Sequence, residues 1–159
     1  MKLATLLQPR LVYADLAASS PKEALRILVN RLVSAGAVEA GEDTLRVLSE
    51  REKLMPTGIG NGVAVPEGLT PEVESTVVAL ARCAKGIPFG AADGTPAHLV
   101  VLVLGPPELA TEHRDVLEAI AEVAKEPGLL ESVLAAPGAP QLLEAVRAAD
   151  AAAGNARPD

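Results

Sequence analysis

The clearest pattern along the chain lies between residues 20 and 36. Leu25, Leu28, Val29, Leu32 and Val33 share one stripe of a 3.6-residue period. Ser20-Pro21-Lys22-Glu23 precedes them as a start signal, since Ser20 can cap, Pro21 suits a first turn and Glu23 stands at the capping-box position. Gly36 ends the stripe. A second helix is predicted from Glu42 to about Lys53, with Leu45 and Leu48 inward and Pro56 as its stop. Residues 11–16 read as a short first strand and Val63–Val65 as another, followed by a turn at Pro66-Glu67-Gly68. Residues 73–83 are β-rich. Residues 98–104 (His-Leu-Val-Val-Leu-Val-Leu) are apolar without alternation, the mark of a strand buried on both faces. A turn-rich link, residues 85–94, joins the two.

After Gly105-Pro106-Pro107, Thr111 is the expected cap of a third helix reaching about Lys125, with Glu112 and Asp115 suited to the positive end of its dipole. Two further helices are expected over residues 129–135 and 139–149, split by Pro137-Gly138. Residues 151–159 carry no periodic core signal and are expected to form a flexible C-terminal tail. The sum is an α/β fold over residues 1–150: one domain with a mixed β-sheet of about four or five strands, flanked by helices on both faces.

Composition narrows the function. The 159 residues include one Phe, one Tyr and no Trp, so the core must be aliphatic. A net charge of −7 with no aromatic platforms argues against nucleic acid as a partner. The single Cys83 excludes an intrachain disulfide and a cysteine zinc site, and it reads as a small core residue. Two scattered histidines and no acidic triplet offer no metal site, and no cofactor is expected. No leader pattern opens the chain and no apolar run approaches the ~20 residues of a bilayer span. A cytoplasmic protein without direct membrane insertion is expected.

Candidate chemistry centres on Thr57-Gly-Ile-Gly-Asn-Gly62. Gly58, Gly60 and Gly62 permit close backbone approach, so their amides could face an anion. The loop lacks the following Lys-Ser/Thr of a nucleotide P-loop, and it follows a helix rather than a strand. On the residues alone the loop reads as a structural turn. His98, at a strand start, and Asp93-Gly94, a turn pair, carry no expected site role.

The stretch Arg51-Glu52 … Thr57-Gly-Ile-Gly-Asn-Gly-Val-Ala-Val-Pro66 resembles the signature of the type-2 IIA domains of the bacterial phosphoenolpyruvate-dependent phosphotransferase system. These include the fructose- and mannitol-specific IIA domains and the nitrogen-regulatory IIA protein. Gly86-Ile-Pro-Phe89, Asp93-Gly-Thr-Pro96 and His113 extend the resemblance over roughly residues 5–148. It implies the IIA fold, with a histidine phosphocarrier protein and a regulated target protein as partners. In that family a histidine after Ile-Pro accepts the phosphoryl group; here the matching position is Glu67. His113 matches the second family histidine, which lies beside the acceptor. Arg51 becomes the counter-ion, and Thr57, Gly58, Gly60 and Gly62 the phosphate-site loop.

Three readings follow. A stand-alone IIA-like regulatory or binding protein would hold a carboxylate where phosphohistidine would sit, without relaying phosphoryl groups. An active phosphotransferase component would use an unusual acceptor, Glu67 or His113; acyl phosphate usually calls for Mg²⁺ and acidic ligands, and no acidic cluster surrounds Glu67. An interaction module would retain the site with no role. Any charge mimicry is partial, because a phosphoryl group carries about −1.5 to −2.

Overall fold

The computed structural model describes residues 3–156. In chain order the elements are β1 (Leu7–Tyr13), α1 (Pro21–Ser34), α2 (Gly41–Leu54), β2 (Gly58–Gly60), β3 (Val63–Ala64), β4 (Glu67–Leu69), β5 (Val77–Ile87), β6 (Ala97–Gly105), α3 (Ala110–Val123), α4 (Leu129–Ala135) and α5 (Ala139–Ala156). Short 3-10 turns cover Leu3–Leu6 and Pro107–Leu109.

The six strands form one mixed sheet in the order β1-β5-β6-β3-β2, with β4 also paired to β6. β6 runs antiparallel to β5 and parallel to β3 and β4; β1 is parallel to β5. Its unbroken apolar run is explained by its place between two layers. Leu99, Val101 and Val103 pack with α3, α4 and α5, while Val100, Leu102 and Leu104 pack with α1 and α2. Both faces are therefore covered by helices, as the pattern predicts. Among the described residues no helix is long and apolar enough to cross a membrane.

Several expectations are corrected. Pro66-Glu67-Gly68 does not turn the chain: Glu67–Leu69 is strand β4, in register with Val103–Gly105 of β6. Pro66 has no amide to place in a ladder, and its carbonyl accepts from the Val103 amide at 2.9 Å, so the proline fills the break between β3 and β4. Three short strands in residues 58–69 raise the sheet to six. At α1 the start signal works as expected, with the Glu23 amide donating to Ser20 Oγ at 3.2 Å. Val33, however, lies at the solvent edge of its stripe.

Thr111 does not cap α3. The helix is entered through the 3-10 turn, its N-cap is Leu109, and no side chain bonds there. Residues 151–156 are helical rather than a tail, because α5 continues to Ala156. Ala149 and Ala153, one turn apart, are buried against the sheet, and alanines this small leave no strong periodic signal. Between them the buried Asp150 carboxylate accepts from the amides of Leu3 and Ala4, at 3.2 and 2.9 Å. Residues 157–159 lie outside the described residues.

Candidate functional site

Glu67 is the first residue of β4 and is held from two sides. Its neighbour Gly68 sits under α2, where an added Cβ would lie 2.6 Å from Val47 Cγ1. A glycine here lets the helix rest directly on the strand. Arg51, one turn beyond Val47, thereby reaches Glu67: its Nε lies 3.4 Å from Glu67 Oε2. The same guanidinium donates from Nη1 to the carbonyl of Met55, the C-cap of α2, at 2.7 Å. Glu50 and Glu52, the local alternatives for Arg51, are engaged elsewhere, with Arg46 and Thr57.

From the other side comes His113, in the first turn of α3. Its Nε2 lies 3.4 Å from Glu67 Oε1. Gly105 closes β6 beneath the ring, and a Cβ there would stand 3.2 Å from His113 Nδ1. The side chains are 7% exposed for His113, 15% for Glu67 and 30% for Arg51. Enclosure of this kind opposes ionisation of Glu67, yet its carboxyl is held below the usual glutamate range. The His113 hydrogen bond is the main cause, joined by the charges of His113 and Arg51. An ionised carboxylate only accepts, so Nε2 carries the proton of that bond. Nδ1 is buried and has no hydrogen-bond partner among the described residues.

The remaining loop residues fall into two groups. Thr57 is buried beside α2, where its amide and hydroxyl donate to the two Glu52 oxygens at 2.8 and 2.5 Å. Its carbonyl accepts from the Val65 amide at 2.9 Å, so it fixes the chain two residues before Glu67. Gly58 follows, with its amide donating to the Phe89 carbonyl. Gly60 and Gly62 lie away from Glu67. The turn they flank meets the start of β6, where His98 and Leu99 donate to the Gly62 carbonyl, whereas Glu67 sits opposite Val103. At ~3.3 Å per residue that places the turn about 13 Å along the strand from Glu67. Asn61 Nδ2 correspondingly donates to the Ala124 carbonyl, at the far end of α3 from His113. The amides of Asn61 and Gly62 are given to Asp93 Oδ2 and Thr95 Oγ1. The expected phosphate-site loop is thus a braced structural turn at its glycine tip. A β-hairpin must carry its turn away from the strand that continues the chain.

The structure brings Glu67, His113 and Arg51 together, with Thr57 alongside, and separates Gly60 and Gly62 from them. Gly68 and Gly105 escaped the sequence reading as site residues; their signal was only that each adjoins an expected strand or site residue. Elsewhere His98 Nδ1 contacts the Cys83 carbonyl at 3.0 Å and Cys83 is buried. Among the described residues no group of three or more His, Cys, Asp or Glu could hold a metal.

Comparison with known proteins places the chain in a family. Residues 5–148 match the family described as phosphoenolpyruvate-dependent sugar phosphotransferase system, EIIA 2. The chain belongs to this EIIA family. It is 34% identical to a PTS system fructose-specific EIIA component of Haloferax volcanii over 113 residues, 71% of this chain and 73% of that protein. A nitrogen regulatory protein of Bradyrhizobium diazoefficiens is 31% identical over 138 residues, 85% of this chain and 88% of its own. The crystal structure of nitrogen regulatory protein IIA-Ntr from Neisseria meningitidis superposes with a TM-score of 0.82 at 26% identity, covering 91% of this chain and 98% of that one.

The Glu67 cluster also predicts how this EIIA-family chain responds to acid. A carboxyl lowered in the folded state contributes stability above its unfolded pKa, about 4.3 for glutamate, and that contribution is lost as pH falls through the lower folded value. In urea unfolding, wild type is expected to exceed Glu67→Gln in stability at pH 7, by about 1 kcal/mol. The difference should shrink as pH falls below the ordinary glutamate range. A gap independent of pH would show that the Glu67 charge contributes nothing to the fold.

Proposed function

We propose that this chain is a IIA-type regulatory or binding protein in which Glu67 holds a fixed negative charge at the phosphoacceptor position. The observation that carries the reading is the half-buried carboxylate of Glu67, kept ionised between Arg51 and His113. Both oxygens are engaged, so the group is already in the position a charged, clamped anion would take. It offers no imidazole lone pair to a phosphoryl donor. Relay through a phosphohistidine at position 67 is therefore lost, while the carboxylate presents a charge that a partner could read at neutral pH.

The surface beside the site suits a protein partner. Leu54 and Met55 follow Arg51 at the end of α2, Leu69 follows Glu67 in β4, and all three are exposed. Exposed apolar side chains grouped beside a polar site mark surfaces that bind other proteins. The partners proposed are a histidine phosphocarrier protein and a regulated target protein in the cytoplasm. The fructose-specific and nitrogen-regulatory names of the relatives support both.

The test is phosphoryl transfer from radiolabelled phosphoenolpyruvate through the first enzyme of the system and its phosphocarrier. Wild type is expected to take no label. Label on the wild-type chain overturns the proposal and sends the search for an acceptor to Glu67 and His113.

A further inference from the structure

We infer that Thr76 and Glu112 are positioning residues, whose side-chain hydrogen bond fixes the first turn of α3 and so aims the His113 imidazole at Glu67. Helix α3 starts from a 3-10 turn, and among the described residues no side chain caps its free amides. Thr76 supplies the missing anchor from outside the helix: its Oγ1 donates to Glu112 Oε2 at 3.0 Å. Thr76 is buried and stands directly before β5, whose first residue, Val77, pairs with Leu104 of β6. Leu104 in turn precedes Gly105, on which His113 lies. The bond therefore ties the first turn of α3 to the strand ends that form the floor of the site.

Adjacent helix residues point about 100° apart. Glu112 and His113 thus hold α3 on two different sides, one toward the start of β5 and one toward β4. The buried stripe Val116, Ala119, Ile120 and Val123 sets the roll of the helix body, and the two contacts together hold its first turn, ahead of that stripe, at a fixed angle to the site. Glu112 also stands at the positive end of the helix dipole, a favourable place for an acidic side chain. The inference rests on the Glu67–His113 geometry and not on which partner reads the site, so a failed transfer assay would leave it standing.

The experiment follows the pH titration of the Glu67 carboxyl carbon by NMR, with the melting temperature measured on the same samples. The charged groups facing Glu67 are Arg51 from α2 and His113 from α3. Thr76→Val removes the donor at nearly constant shape, and Glu112→Ala removes the acceptor. Both are expected to move the Glu67 midpoint upward, toward that of an ordinary glutamate, and Thr76→Ser is expected to restore it. Loss of the Glu112 charge by itself would move the midpoint downward, so a rise separates aim from field. Should Thr76→Val fail to fold, Glu112→Ala, at a partly exposed helix position, decides alone. A lowered melting temperature with an unchanged Glu67 titration overturns the inference: the pair would then serve only to satisfy a buried hydroxyl.

Discussion

Glu67→His is expected to turn a chain that takes no phosphoryl label into one that takes up to one per molecule. The two groups that now clamp the carboxylate are those a phosphorylated imidazole would need beside it. Arg51 offers a fixed cation, and His113 offers an Nε2 proton, both already aimed at position 67. Their approach is set by Gly68 and Gly105, which the substitution leaves untouched. A phosphoryl group brings more charge than a carboxylate, about −1.5 to −2, and so gains more from the same partners. Adding Arg51→Ala to the histidine variant removes the cation facing that charge. Loss of one such preorganised donor typically costs about 10²–10³ in rate, and label uptake is expected to slow by that order. A folded Glu67→His variant that stays unlabelled would mean that the donor no longer docks here. The regulatory reading would then lose its phosphocarrier and keep only the target protein.

The parts of this site that sequence carries well are those where side-chain identity decides the chemistry. Arg51, Glu67 and His113 lie 62 positions apart at the extremes, and in the sequence only the family pattern joins them; in the fold the side chains of Arg51 and His113 each lie 3.4 Å from that of Glu67. The α1 start was legible because Ser20, Pro21 and Glu23 each act within one turn. Strand β4 was not, since Pro66 and Gly68 are turn formers in isolation and only the neighbouring β6 ladder extends them. The glycine loop failed for a related reason. Its composition records freedom of backbone, but the hairpin register decides which end of β6 the turn meets. The Thr111 cap and the C-terminal tail were misread where tertiary contacts, of Thr76 with Glu112 and of Asp150 with Leu3 and Ala4, replace local signals.

The close approach at Gly68 gives the largest stability effect. An added methyl would stand 2.6 Å from Val47 Cγ1, well inside contact distance, and β4 cannot retreat because it is laddered to β6. The helix must move instead. Overpacking of this kind typically costs about 1–3 kcal/mol, and Gly68→Ala is expected to lower the urea midpoint accordingly. The displacement falls on the turn of α2 that carries Arg51, so the same variant should raise the Glu67 titration by weakening one of its two partners. Gly105→Ala meets His113 Nδ1 at the milder 3.2 Å and should disturb the other partner at lower cost. Val47→Ala supplies the decisive control. It vacates the space that the new methyl needs, so Gly68→Ala combined with Val47→Ala is expected to be more stable than the sum of the two single losses, with Glu67 titrating as in the Val47→Ala parent. Strict additivity would mean that the two residues do not share that space. The position of α2, and with it the reach of Arg51, would then have to be set by some other contact.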